Sequence, residues 1–325
     1  MSPRPVQDPP VPPPAAAPRR RVLVGTLLAT VAILFWGVTF VNTKALLADF
    51  SSLEILVLRF LLAWAALWVL WPRPLRGVPW RDEALFAAAG LSGAAVYQLL
   101  ENLAIHFTNA SNVSILVSVC PVFAAVLSQW LLREKALTLR FAVGFLVAIA
   151  GVAMVSLDGV RSFHFRPAGD LLALASGLSW GFYSVLVSVV NRRPWPPAAV
   201  IRRAFFWALV AMIPAVAAAL AFPAAAARVS CSIDLSPAAN AARFASPANW
   251  FNLSFLGVLA SAVCFVVWNA ACDRLGTVRA SAGIYLIPAI TLLFAHLFLG
   301  ETLTAIGALG ALLTLAGVAL STRRR

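Results

Sequence analysis

From Val22 onward the chain is a succession of apolar runs of about 20 residues, each closed by a few polar or charged ones. At a rise of about 1.5 Å per residue, such a run spans the roughly 30 Å hydrocarbon core of a bilayer. Ten runs are read, at 22–44, 53–71, 84–105, 110–132, 140–157, 169–190, 200–221, 251–272, 279–299 and 303–321. With 62% hydrophobic and 11% charged residues, the chain holds more apolar surface than a water-soluble domain can hide. The expected fold is an all-α polytopic membrane protein with ten transmembrane helices and no room for a soluble domain of any size.

The charges give this reading a direction. If both termini are cytoplasmic, the inner segments hold 19 of the 25 lysines and arginines, and the outer ones hold Arg161, Arg166, Arg228 and Arg243. Lys44 stands at an outer helix end and Arg59 inside the second span. The positive-inside rule selects this orientation, and a missed span would scramble the alternation. The net charge of +13 therefore reports topology and implies no nucleic-acid partner. Residues 1–21 are read as a Pro-rich, disordered cytoplasmic tail and 322–325 as a basic one. The arginines 19–21 resemble the start of a signal peptide, but the run behind them continues past Trp36 without a cleavage site and is read as a retained span. Cys120, Cys231, Cys264 and Cys272 offer neither a disulfide framework nor a metal site, and no cofactor is expected.

The stretch PVFAAVLSQWLLRE, Pro121 to Glu134, is echoed by PAITLLFAHLFLGE, Pro288 to Glu301, an offset of 167 residues. The same offset pairs Gly90 with Gly257, Asn102 with Asn269 and Ser114 with Ser281; at 166, Gly144 pairs with Gly310 and Ala150-Gly-Val-Ala with Ala316-Gly-Val-Ala. At 144, Trp36-Gly37 pairs with Trp180-Gly181. Segment 222–249 absorbs the difference and is read as an outer loop, with a short interfacial helix over the outer mouth as the alternative. The chain thus divides into two five-span units, 22–157 and 169–321, joined by an outer linker at 158–168. An odd number of spans per unit inverts the second relative to the first. Two such units can pack in two nearly equivalent ways, one open to each side, around a site near the bilayer middle.

Five-plus-five spans, Trp-Gly in the first span of each half, a Pro-to-Glu fourth span and an Ala-Gly-Val-Ala fifth resemble the EamA-type drug/metabolite transporters over about residues 22–322. The resemblance implies an inverted-repeat carrier of small metabolites, often amino acids and frequently exported, without naming the substrate.

Candidate functional residues follow from depth and polarity. Glu101 is a carboxylate well inside an apolar span, about 25 Å along it. An intramembrane acid is costly and marks proton coupling or a counter-charge for a substrate amine. Pairing with Arg59, at similar depth, and snorkelling to the interface are the competing readings. Trp36, Trp180, Tyr183 and Tyr285 lie near mid-depth, where rings suit a small amphipathic cargo or, equally, helix packing. Gln98, Asn102, Trp268 and Asn269 add polar groups. Pro121 and Pro288 interrupt spans four and nine as candidate hinges, whereas Glu134 and Glu301 read as interfacial. Gly177-Leu-Ser-Trp-Gly181 matches the GxSxG pattern of serine hydrolases but falls mid-helix, where small residues four apart mean close packing. No phosphate loop encodes an ATP motor.

The expected function is secondary active transport of an amino-acid-like metabolite across the cytoplasmic membrane, outward, by alternating access, with lipid, cargo and protons as partners. An uncoupled, channel-like pore is the alternative. An intramembrane enzyme would need a nucleophile, base or metal set that the sequence does not supply.

Overall fold

The computed structural model describes residues 19–107, 113, 116–133, 137–158, 167–287, 289–290 and 305–322. Every element among them is helical. In chain order these are α1 (Arg19–Leu46), α2 (Ser52–Leu70), α3 (Trp80–Phe107), α4 (Cys120–Leu132), α5 (Leu139–Asp158), α6 (Pro167–Val190), α7 (Pro197–Ala221), α8 (Pro223–Arg228), α9 (Pro237–Ala245), α10 (Pro247–Leu275), α11 (Thr277–Ala282) and α12 (Ala305–Thr322). Six of them, α1, α2, α3, α6, α7 and α10, are long and apolar enough to cross a membrane, and α4 and the first part of α5 are shorter apolar helices. The molecule is a polytopic membrane protein.

Local chemistry sets the helix ends. Ser51 caps α2 through a capping box with Glu54, which satisfies two of the backbone donors that a helix start leaves open. Proline stands in the first turn of α4, α7, α8, α9 and α10, where its fixed φ is an asset and its missing N–H costs nothing. Gly276 closes α10 with a φ of +82°, open to glycine without strain. Pro121 does not kink the interior of a continuous span, as its position in the run suggested. It sits in the first turn of α4, after a turn at residues 118–119. Pro288, Ser114, Glu134 and Glu301 lie outside the described residues.

Hydropathy cannot reveal two interruptions inside the long helices. Residues Leu91–Val96 of α3 and Phe255–Val263 of α10 wind as π-helix. A π turn carries an extra residue and leaves main-chain groups short of helical partners. Side chains from neighbouring helices use those groups: the Trp36 indole N–H donates to the Ala260 carbonyl at 2.9 Å, and the Ser179 hydroxyl to the Ser92 carbonyl at 2.8 Å.

Packing follows one pattern carried out twice. Helices α1 and α2 pack on α10, while α6 and α7 pack on α3; α2 meets α7, and α5 runs along α12. Paired glycines make these contacts tight. A Cβ on Gly90 would fall 2.0 Å from the Ala204 carbonyl oxygen of α7, and one on Gly257 would fall 2.9 Å from the Arg59 carbonyl oxygen of α2. Likewise a Cβ on Gly151 would fall 2.5 Å from the Gly310 carbonyl oxygen, and one on Gly317 would fall 2.3 Å from the Ala148 nitrogen. Small residues of this kind let helices approach in lipid, where no hydrophobic force draws them together.

Segment 222–249, read as an outer loop, carries α8 and α9 and is strapped to the start of α2. Arg243 grips Glu54 through two nitrogens at 2.8 and 3.1 Å and lies 4.7 Å from the Phe50 ring centre. Ser52 and Ser51 donate to the carbonyls of Ser230 and Ser232. The segment is thus helical over Pro223–Arg228 and Pro237–Ala245 rather than loop throughout. At the other end of α2, Arg202 donates to the carbonyls of Trp71 and Arg73 and lies 3.8 Å from the Trp68 ring centre.

Candidate functional site

A small cavity of about 30 Å3 lies among α1, α2, α3, α6 and α10. It is wide enough for water and far smaller than a metabolite. Its walls come from α1 (Trp36, Thr39), α2 (Arg59), α3 (Tyr97, Gln98, Glu101), the turn before α4 (Ser118), α6 (Trp180) and α10 (Phe265). A larger recess of about 490 Å3 between α2 and α7 is lined by residues such as Leu61, Trp64, Phe206 and Ile213. It offers nothing with which to recognise a polar cargo.

Two buried charges of opposite sign border the small cavity, Arg59 at 2% and Glu101 at 5% exposure. A charge at such depth needs partners, because desolvation costs several kcal/mol. Arg59 donates from Nε to the Ser261 hydroxyl and from Nη1 to the Gln98 side-chain oxygen, each at 2.6 Å. Glu101 accepts from the Tyr97 hydroxyl one helical turn earlier. The direct Arg59–Glu101 ion pair weighed from the sequence is therefore not formed. Each charge is held by neutral groups on the rim of the same chamber.

Aromatic rings close the rest. Trp36 meets Trp180 edge-on with ring centres 5.3 Å apart and Trp268 at 5.0 Å, and Phe265 lies 5.9 Å from both Trp36 and Trp180. Such contacts are favoured by the ring quadrupole. Trp180 and Trp268 keep their indole N–H groups buried without hydrogen-bond partners among the described residues.

Of the residues expected from the sequence, Trp36, Gln98 and Glu101 border the cavity together. Trp268 stands behind Trp36 and Trp180. Tyr183 and Tyr285, expected among the cavity walls, do not border it. Tyr183 packs over Gly93 and accepts from Asn269 at 2.9 Å. Tyr285 packs towards Phe145 of α5. Asn269 also donates to the Phe265 carbonyl, and Asn102 donates to the Ser52 carbonyl at 3.2 Å, so both act as helix-to-backbone ties. Ser179, the serine of the GxSxG pattern, holds the π turn of α3. Tyr97, Ser118, Ser261 and Phe265 join the site without having been read from the sequence. The signal for Tyr97 was its place one turn before Glu101.

The chain resembles known transporters along nearly its whole length. It is 28% identical over 304 residues to an "uncharacterized transporter" of Archaeoglobus fulgidus, covering 92% of this chain and 97% of that one. A "probable amino-acid metabolite efflux pump" of Escherichia coli is 26% identical, with 90% of this chain and 92% of the pump aligned. A "probable terminal-alkyne amino-acid exporter" of Streptantibioticus cattleyicolor is 28% identical over 75% of this chain and 74% of its own. A solved crystal structure superposes with a TM-score of 0.67 at 21% identity, covering 92% of this chain and 96% of its own, a likeness of fold alone. The model of the EamA-like transporter family matches twice, at residues 23–157 and 167–323, and the chain belongs to that family of membrane transporters.

Proposed function

We propose that this chain is a secondary carrier that exports a small amino-acid-like metabolite across the cytoplasmic membrane by alternating access. Its ten spans would form two inverted five-helix units, 22–157 and 169–321, with both termini inside. The carrying observation is the pairing of tight contacts between the helices. Residues matched by the repeat meet matched partners: Gly90 on α7 and Gly257 on α2, Gly151 and Gly317 across the α5–α12 seam. Such reciprocity is the signature of a two-fold relation. The π turns fall at equivalent places, Leu91–Val96 corresponding to 258–263 at the offset of 167. The double family match supports the same division, and the relatives' names support an amino-acid cargo and outward transport. Trp36 and Gln98 would form the cavity's walls, Glu101 would face the cargo's amine, and Pro121 and Pro288 would mark hinges. The driving force would be a proton gradient or the cargo's own.

The test uses single cysteines at Val117 and Ile284, two cavity-lining positions, in a cysteine-free chain. Membrane-impermeant thiol reagents should reach each position from one face at a time, and a cargo gradient should reverse the face. Simultaneous reaction from both faces would show a pore instead.

A further inference from the structure

We infer that Arg59 is the binding group for a carboxylate on the cargo, so that the chamber takes a zwitterion with an apolar body. The inference rests on the carrier reading above and assigns a role that the sequence pattern left as a structural ion pair.

Geometry separates these two roles. An arginine serving only to neutralise a neighbouring carboxylate favours a direct two-pronged contact. Here Arg59 is turned aside by Ser261 and Gln98, and Glu101 is occupied by Tyr97. The second terminal nitrogen of Arg59, Nη2, makes no hydrogen bond among the described residues, so one edge of the guanidinium fork is left over. Trp180 borders the same chamber, and its buried indole N–H also has no partner among the described residues. A carboxylate has about four lone-pair sites, enough to accept from both. A cargo ammonium can take the remaining lone pairs of Glu101, whose carboxylate receives one hydroxyl.

Charge balance supports the same choice. With Arg59 protonated and Glu101 ionised, the chamber carries one cation and one anion and is neutral as a whole. A zwitterion leaves it neutral, whereas an amine or an acid alone adds a net charge to be carried through a low-dielectric interior. The two units also furnish the chamber unequally. Tyr97, Gln98, Glu101 and Ser118 border it, whereas of their counterparts at the offset of 167, Cys264, Phe265, Trp268 and Tyr285, only Phe265 does. The first unit can therefore hold a charged head, and Phe265 and Trp180 of the second offer rings to an apolar side chain.

The experiment compares cargo analogues on the unmodified chain, so it does not depend on a variant folding. In proteoliposomes, counterflow of L-leucine, L-isoleucine, L-valine, L-methionine, L-phenylalanine and L-tryptophan is challenged with two derivative series. One series is the matching amines, lacking the carboxylate, and the other is the N-acetyl amino acids, lacking the ammonium. At least one of the six amino acids should exchange, and both of its derivatives should compete about tenfold or more less well. Arg59→Lys keeps the charge but loses the fork. It should raise the half-saturating amino-acid concentration about tenfold while leaving the weak competition by the amine unchanged. Exchange of none of the six, or amines competing as well as the amino acids, overturns the inference. Cysteine accessibility that still alternates in that event would leave the carrier reading standing; accessibility that never alternates removes both.

Discussion

Glu101 shows how a single side chain can be legible in kind and illegible in company. Its depth in an apolar run marked it as functional, and it does border the chamber. Its partner could not be read, because Arg59 lies at similar depth and depth says nothing about rotation about the helix axis. The same ambiguity misplaced Tyr183 and Tyr285, for a mid-span ring faces a cavity or a neighbouring helix according to an angle that composition does not encode. Trp36 and Gln98, read by the same reasoning, do border the cavity. As the counter-charge for a cargo amine, Glu101 must be ionised, so flux should fall as pH drops through the range where it takes up a proton. Glu101→Gln keeps the size and the acceptor for Tyr97, so the protein should still insert and elute as a monodisperse peak in detergent. Its flux should be about tenfold lower or worse and should lose that pH slope. A pH profile of reconstituted flux unchanged by the substitution would remove Glu101 from the mechanism.

At the scale of elements, hydropathy set span positions closely. The expected 53–71, 140–157 and 169–190 correspond to Ser52–Leu70, Leu139–Asp158 and Pro167–Val190. It could not see the π turns, whose residues are as apolar as their neighbours. Nor could it see the strap built by segment 222–249, because the alanines and prolines there read as loop until Arg243 finds Glu54. That ion pair is nearly buried, its side chains 10% and 8% exposed. Removing one partner strands the other, at a cost of about 3–5 kcal/mol. Arg243→Ala should therefore lower the thermal midpoint of the purified protein markedly, and adding Glu54→Gln should recover part of the loss. A thermal scan in detergent decides it; a midpoint that does not move would show the strap to be held by Phe50, Phe244 and the serine contacts instead.

At the scale of the whole molecule, the proposed division into two units rests on evenly offset residues in the sequence, and the offset glycines Gly90 and Gly257 each lie against a neighbouring helix's backbone. The distribution of basic residues should place both termini on the cytoplasmic side. Reporters fused to either end should be active only where cytoplasmic folding is required; activity of one fusion outside would break the ten-span count. The π turns act on the assembly as a phase adjustment. At about 100° per residue, straightening 91–96 into regular α geometry without removing a residue would turn Tyr97, Gln98 and Glu101 away from the chamber together, because the π turn is what absorbs the extra residue. The same straightening of 255–263 would swing Phe265 and Trp268. One hydropathy plot could thus enclose entirely different chemistry, according to whether two short stretches wind as π or as α helix.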